Sequence, residues 1–528
     1  GMVVDSLTEQ FGIRSLEFSP EFGFKLNGKK IFLQGNANHH DLGALGATCY
    51  DKAIERMMLQ LKSFGYNCIR CSHNPYSDSF ARIADRVGIL VVDELTDKWS
   101  DNDYWGGRQP FTHIWHKLIT EWIKRDRNRP SIILWSLGNE LQIREGWAGF
   151  EGTNDWGITT YNIFNQLVKR WDHTRLTTVA MFPARAGAIT RHDKEFNDYL
   201  VPPELACATE VASFNYQSDK YDAYLKYRPD LILFQSEAET SNLLQPYYNM
   251  DKERMVGIAY WGSVEYWGES NKWPKKGWNY SFFEHTMRPY PQAYLIKTAF
   301  MPEIPEVHIG VVDAAGAESV SWNDVIVGRM ALNECWNHTP GSRRSLFTFT
   351  NAHSVELLVN GQSMGIQKND TTRANLRNMI YWKDVPYGNG GSVVAIARDK
   401  SGKEVARHRI ETAGKAVALR IEAETPTDWK ADGMDLQYIN VTVIDKKGRP
   451  VWDYNEPLTL QMEGAARLVA LDNGDHYTDE LFHGITSKRM YQGRMQIILR
   501  SDQEAGNVTV KISSAGLKGT LRLKTIKE

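Results

Sequence analysis

The stretch Ser131-Ile132-Ile133-Leu134-Trp135-Ser136-Leu137-Gly138-Asn139-Glu140 constrains this chain more than any other. It is short and almost wholly apolar, then stops on Gly-Asn-Glu. A strand with one wet face would alternate, so this run predicts a parallel strand buried on both faces. Polar groups at the C-terminal tip of such a strand are how a (β/α)8 barrel presents reactive side chains. Leu231-Ile232-Leu233-Phe234-Gln235-Ser236-Glu237 repeats the pattern. Two buried strands that each end on a glutamate predict a carboxylate pair at one mouth.

The surrounding sequence alternates between strand and helix patterns. Leu26-Asn27-Gly28-Lys29 carries the Asn-Gly signal of a tight hairpin. Ile31–Gly35 reads as the first barrel strand and leads into Asn36-Ala37-Asn38-His39-His40-Asp41. Asp51 caps a predicted helix with apolar Ile54, Met57, Met58 and Leu61, which Gly65 ends. A second strand over Tyr66–Arg70 is tipped by Cys71-Ser72-His73-Asn74-Pro75, and a helix runs on to about Val87. A third, Ile89–Val92, ends in Asp93-Glu94 with Trp99 just beyond, before a long helix over Thr112–Asp126. The stretch ending at Glu140 is the fourth strand, and a helix over Trp156–Trp171 precedes a fifth at Leu176–Ala180. The sixth, Val211–Phe214, is tipped by Asn215-Tyr216; the eighth, Met255–Tyr260, by Trp261. No helix is evident between the fifth and sixth strands, and the long segment there reads as a lid or subsite loop. These elements fit one barrel of ordinary size.

After Phe300 the texture changes. Pro302 and Pro305 mark a linker, and short alternating strands follow, such as Ser345–Thr350, Val355–Gly361, Ile439–Ile444 and Val508–Ile512. Two segments of this kind, each about 100 residues, predict two immunoglobulin-like β-sandwiches. The expected organisation is a lead-in over 1–17, a TIM barrel over 18–304, and sandwiches over 305–415 and 416–528.

Composition excludes several classes of partner. A formal net charge of −2 without basic clusters argues against nucleic acid. No run of about 18 apolar residues exists, so no helical membrane span is expected. The 5 cysteines, sparse and odd in number, do not make a disulfide framework. Cys68-x-x-Cys71 lies in a predicted buried strand with no second pair to complete a zinc site, so both cysteines read as structural. The 17 Trp and 23 Tyr are mostly core, but a surplus near strand ends suits stacking on sugar rings.

Paired carboxylates at a barrel mouth, joined by His39, His73, Asp93, Tyr216 and Trp261 on other tips, suit glycoside hydrolysis. In a retaining enzyme the two carboxyls stand about 5–5.5 Å apart, one a nucleophile and one a proton donor. Glu140 is expected as acid/base and Glu237 as nucleophile. Tyr216, one strand earlier, is placed to donate to Glu237. Asn139 is placed to bond the sugar's 2-hydroxyl. Arg70 either holds the nucleophile's charge or forms a structural pair with Asp93 or Glu94. His39, His73 and Trp99 are expected against the sugar, with Trp261 as its floor. Two histidines and a glutamate can form a zinc site, but no H-E-x-x-H is present, and no metal is assigned.

At this point a resemblance enters. Gly-Asn-Glu at 138–140, Gln-Ser-Glu at 235–237, Ile-Arg-Cys-Ser-His-Asn-Pro at 69–75 and Asn-His-His-Asp-Leu-Gly at 38–43 resemble glycoside hydrolase family 2, in particular its β-galactosidase-like members. The resemblance extends over nearly the whole chain, including Leu471-Asp472-Asn473-Gly474-Asp475 in the tail. It implies the same roles for Glu140 and Glu237, and places His39, His73, Asn139, Tyr216 and Trp261 around the sugar. The implied activity is a retaining exo-β-glycosidase acting on terminal β-linked sugars of oligosaccharide or polysaccharide-derived glycosides, first of all a β-galactosidase. No organic cofactor is implied, and a structural Mg²⁺, Ca²⁺ or Na⁺ near Glu94 has no ligand motif behind it. A non-catalytic carbohydrate-binding protein on a barrel scaffold is the reading of another class, and two intact glutamates argue against it.

Two departures from the family carry further expectations. Members normally have a jelly roll and a sandwich ahead of the barrel, and Phe11-Gly12-Ile13-Arg14 resembles the end of that sandwich. The chain is therefore expected to correspond to a C-terminal part, weakly active or inactive alone. Gly1 before Met2 reads as a tag remnant, which leaves the location open: periplasmic or secreted if a signal peptide was removed, otherwise cytoplasmic. The second departure is the basic stretch Trp267–Trp278, in which Lys272 can meet a uronate carboxylate. Family uronidases use an Asn and a Lys in this region, so β-glucuronidase or β-galacturonidase is the alternative. Oligomeric state cannot be read from the sequence.

Overall fold

The computed structural model describes residues 4–99, 110–141, 155, 157–182, 201–270, 272–313, 318–322 and 325–527. Asn271, Trp156 and most of the segment expected as a lid lie outside the described residues. The chain forms two compact units, Gly1–His40 with Leu61–Trp261, and Asp41–Gln60 with Gly262–Glu528.

Eight parallel strands close the barrel of the first unit: β1 (Leu33–Asn38), β2 (Cys68–Cys71), β3 (Leu90–Glu94), β4 (Ile132–Asn139), β5 (Leu176–Met181), β6 (Val211–Asn215), β7 (Leu233–Ala238) and β8 (Gly257–Trp261). They pair in chain order, and β8 closes on β1. Every residue of β4, β6, β7 and β8 is buried, as strands with the barrel interior on one face and helices on the other must be. Most strands run one to three residues further toward the tip than the apolar pattern suggests, because the polar tip residues continue the ladder.

Local chemistry sets the helix ends. In α1 (Asp78–Val87) the Ser77 hydroxyl accepts from Phe80 N, and Gly88 closes the helix at φ 77 with its N–H on Ala84 O. Phe80, Ala81, Ile83 and Ala84 form its buried face. α2 (Phe111–Asp126) and α3 (Ile158–Trp171) follow β3 and β4. Only the short α4 (Glu204–Ala208) is described between β5 and β6. The Asn27-Gly28 turn pairs Leu26 with Lys29, both central residues at positive φ, as the sequence predicts.

The parity of each strand decides what its tip offers. Asp93 pairs with Trp135 across β3 and β4, and Glu94 with Ser136. Trp122 of α2 donates its indole N–H to Asp93 Oδ2 at 2.6 Å, and its ring packs edge-on against Trp135 at 4.9 Å. Asp93 and Trp135 thus face the helix layer, and Glu94 and Ser136 face the barrel interior.

The second unit carries the sandwiches. One pairs a four-stranded sheet built on Val307–Val312, Arg343–Thr350 and Met379–Pro386 with another built on Ser354–Val359, Gln362–Lys368, Ser392–Arg398 and Glu404–Glu411. Trp336, Leu346, Leu357 and Val393 are among its core residues. The second has four strands in each of two sheets between Ala416 and Lys524, around Trp429, Ile439, Leu458, Ile497 and Val510. Segment 262–304, expected with the barrel, groups with the sandwiches because its side chains bond there; His285 Nε2 lies 2.9 Å from Asp472 Oδ1. All five cysteines are free, and burial pushes the Cys68 thiol up to about 12.

Candidate active site

Arg70 on β2 is the hub of the barrel mouth. Its Nη1 donates to Glu237 Oε1 at 2.7 Å, its Nη2 to Glu94 Oε2 at 2.7 Å and to Asn139 Oδ1 at 3.0 Å, and its Nε to Glu94 Oε2 at 3.0 Å. The guanidinium is wholly buried. Burial works against its charge, but the Glu94 and Glu237 carboxylates outweigh that and hold it above its ordinary range. Both sequence readings of Arg70 hold at once, since it bonds the expected nucleophile and Glu94.

Glu94 is fully satisfied. Besides Arg70 it meets Ser136 Oγ at 2.7 Å and His73 Nδ1 at 2.6 Å. Burial would raise its carboxyl, but Arg70 and His73 hold it below the usual range. His73 stacks on Trp261 with ring centroids 5.2 Å apart and planes 8° from parallel, and His39 meets both rings edge-on at 5.6 and 5.1 Å. The structure thus brings His39, His73 and Trp261 together beside Glu237, whose Oε1 lies 3.8 Å from His73 Nε2.

The two tip glutamates have opposite surroundings. Glu237 accepts from Arg70 on Oε1 and from the Tyr216 hydroxyl on Oε2 at 2.7 Å. Glu140 accepts from Asn215 Nδ2 at 3.0 Å, and the same amide nitrogen donates to Asn139 Oδ1 at 3.0 Å. Burial first, then the charge of Glu237, push the Glu140 carboxyl up to about 8. Glu140 and Tyr216 both sit at positive φ, 48° and 57°, just past the ends of β4 and β6. Strain of this kind costs about 1–3 kcal/mol and is kept where surrounding bonds over-determine it, here Glu140 N to Ala180 O and Tyr216 N to Glu237 O.

Two expected site residues fall elsewhere. Asp93 serves Trp122 in the helix layer, and burial with Asp126 nearby raises its carboxyl well above the usual range. The sequence could not tell which of Asp93 and Glu94 faces inward. Trp99 is buried, with its indole donating to Leu137 O at 2.8 Å and its ring edge-on to Phe164. A Cβ on Gly138 would stand 2.7 Å from Trp99 Nε1, so the glycine of Gly-Asn-Glu makes room for this wedge. Trp99, 1% exposed, thus packs behind the β4 tip and not on the surface of the mouth. Lys272 belongs to the second unit, where it is exposed and its amide N–H donates to Ser270 Oγ at 3.4 Å.

Residues missed as site members are Glu94, Asn215, Ser136 and Asp97, whose Oδ1 accepts from Asn139 Nδ2 at 3.0 Å. Glu94 and Asn215 end β3 and β6 and Asp97 lies just beyond β3, which is the signal that could have found them; Ser136 lies within β4 and carries no such signal. The arrangement supplies one carboxylate held by a cation and a hydroxyl, and one carboxyl held protonated. Such a pair is what a nucleophile and a general acid require.

The family model for the glycosyl hydrolases family 2 TIM barrel domain matches residues 21–254. That for glycoside hydrolase family 2 C-terminal domain 5 matches 419–521. The chain belongs to glycoside hydrolase family 2. Between these segments, residues 341–406 match a domain of unknown function, DUF4982. A β-galactosidase of Bacteroides ovatus is 27% identical over 98% of this chain and 64% of its own length. A putative β-glucuronidase of Formosa agariphila is 44% identical over 99% of this chain and 51% of its own. The chain thus spans between half and two thirds of these relatives. A solved family 2 member from Bacteroides cellulosilyticus superposes with TM-score 0.81 at 29% identity, covering 97% of this chain and 64% of that one.

Proposed function

We propose that this family 2 chain carries the hydrolytic site of a retaining exo-β-glycosidase. The observation that carries the reading is the opposed setting of two buried carboxyls: Glu237 on Arg70 and Tyr216, Glu140 raised to about 8. Glu237 attacks the anomeric carbon while Glu140 gives its proton to the departing oxygen, leaving a glycosyl ester on Glu237 and a free alcohol. Glu140, now ionised, takes a proton from water as that water attacks the same carbon, and Glu237 is released. Asn139, held by Arg70 and Asn215 through Oδ1, bonds the sugar's 2-hydroxyl, and the Trp261–His73–His39 cluster meets the ring.

The leading substrate is a β-galactoside. A β-glucuronide or β-galacturonide is the second reading, favoured by the name of the 44%-identical relative and by the basic stretch that carries Lys272. Hydrolysis of nitrophenyl β-galactoside, glucuronide, galacturonide, glucoside and mannoside, with Glu237→Ala alongside, tests both. Turnover of the galactoside by the wild type alone supports the first reading, and turnover of a uronide the second. Equal indifference of uronide and neutral substrates to Lys272→Ala removes the role given to that lysine. Sugar binding without hydrolysis across the panel would overturn both readings in favour of a carbohydrate-binding protein.

A further inference from the structure

The second unit holds a buried cluster that the hydrolytic reading does not use. Glu265, His285 and His476 turn one ligand atom each toward a common centre, all within 4.8 Å of one another. Glu265 Oε2 lies 3.0 Å from His285 Nδ1 and 3.6 Å from His476 Nε2. At metal–ligand lengths of about 2.0–2.2 Å the edges of a tetrahedral zinc site measure about 3.3–3.6 Å, so the spacing already approximates one face of such a site.

Part of this cluster is explained without an ion. His285 bridges Glu265 and Asp472, the latter at 2.9 Å from its Nε2, and Tyr290 donates to the other oxygen of Glu265 at 2.6 Å. His476 is not explained. It is 3% exposed, and neither ring nitrogen has a hydrogen-bond partner. Leaving two imidazole nitrogens buried and unmatched is costly, and a native structure needs a reason for it. Asp472 supplies the arrangement a metal-bound histidine needs: it accepts from Nε2–H, which fixes the tautomer and turns the Nδ1 lone pair toward Glu265 and His476.

We propose that Glu265 Oε2, His285 Nδ1 and His476 Nε2 bind a divalent transition ion of the zinc type, with a fourth position open to water. Two histidines and one carboxylate are a recurrent zinc set. Arg329 and Lys275 also act on these residues electrostatically, so charge alone does not favour a cation there. Binding must come from imidazole coordination, which selects zinc over Mg²⁺ or Ca²⁺. His476 lines a cavity of about 260 Å³ with Tyr290, Arg329, Trp452 and Tyr477, which gives the ion a way in. The bound ion ties the segments carrying residues 265, 285 and 476 together and so stabilises the fold of this unit. The other histidine–carboxylate group, His308, Glu334 and His408, is a poorer site, because Arg288 already approaches Glu334 at 3.4 Å and Glu334 is 28% exposed.

The test uses the full chain, purified without a histidine tag, loaded with ZnCl2, desalted and assayed for metal. One zinc per chain in the wild type, and none in His476→Gln, is expected. Zinc a hundredfold above its Kd should raise Tm by about 5 °C, while MgCl2 should not. Equal zinc in His476→Gln, or no zinc and no shift in the wild type, would overturn the proposal. Should the variant not fold, anomalous scattering from zinc-loaded wild-type crystals decides. A peak among Glu265, His285 and His476 supports the site; a peak at His308–Glu334–His408, or none, overturns it.

Discussion

In the barrel, Arg70 donates to Glu94, Glu237 and Asn139; in the second unit, His285 is held by Glu265 and Asp472 while His476 beside it has no hydrogen-bond partner. Both clusters bury carboxylates with basic groups, yet they are finished to different degrees. The barrel network matches its cation to two carboxylates and lets an amide chain, Asn139 and Asn215, pass the order on to Glu140. Its tensions are a carboxyl pushed up to about 8 and the positive φ of Glu140 and Tyr216. The second cluster satisfies a carboxylate–histidine–carboxylate bridge and leaves an imidazole over. A closed network fixes side chains for chemistry, whereas an orphaned ligand atom marks a place for something from outside.

The contrast can be broken by variants on either side. Glu237→Gln should lower kcat/KM on the best substrate by about 10⁴-fold or more, because an amide cannot replace the carboxylate as the attacking group. His476→Gln should leave the same ratio within about twofold, as substitutions away from a site's chemistry do. A loss comparable to that of Glu237→Gln would join what is here treated as separate. Arg70→Lys comes next, with an expected fall of about 10²-fold. One ammonium cannot reproduce the guanidinium's fork to two carboxylates and an amide. Arg70→Ala would leave buried carboxylates unpaired, a loss of about 3–5 kcal/mol in stability, read by denaturant unfolding.

Glu140 gives the comparison a pH axis. Its folded value of about 8 lies above an ordinary carboxyl, so the native state binds the proton more tightly than the unfolded chain. That makes Glu140 neutral to stability at low pH and increasingly unfavourable as pH rises from the unfolded value toward about 8. Glu140→Gln should therefore melt higher than the wild type, by a margin that grows over this window and then levels. Activity should fall as pH rises through the same region, as the general acid loses its proton. A margin that shrinks with pH would show the carboxyl is not raised. The smallest expected effect is Asp93→Asn. Asn keeps the acceptor for Trp122, so KM and kcat should stay within about twofold.

The barrel was legible because buried parallel strands write themselves as apolar runs, and because each run ended on polar residues. Glu140, Glu237, Arg70, His39, His73, Asn139, Tyr216 and Trp261 were all found at tips and all meet. Asp93 and Glu94 were not distinguishable, since one step along a strand reverses the face and nothing local says which residue points in. Trp99 was mistaken for a sugar platform because an indole beside a strand tip serves either role, and only the missing Cβ of Gly138 shows that the ring packs behind the tip. The left-handed backbone at Glu140 and Tyr216 left no trace in residue type, since neither is glycine. The Glu265–His285–His476 cluster joins residues too distant in sequence for any spacing rule to connect.

The most direct test of the central claim is covalent capture of the first displacement. The chain is incubated with activated 2-fluoro β-glycosides of galactose and glucuronic acid, which slow release of the glycosyl ester, then digested and read by mass spectrometry. A single sugar added to the peptide containing Glu237, absent in Glu237→Gln, is the predicted result. A sugar on any other residue, or turnover that persists in Glu237→Gln, would contradict the assignment of Glu237 as nucleophile.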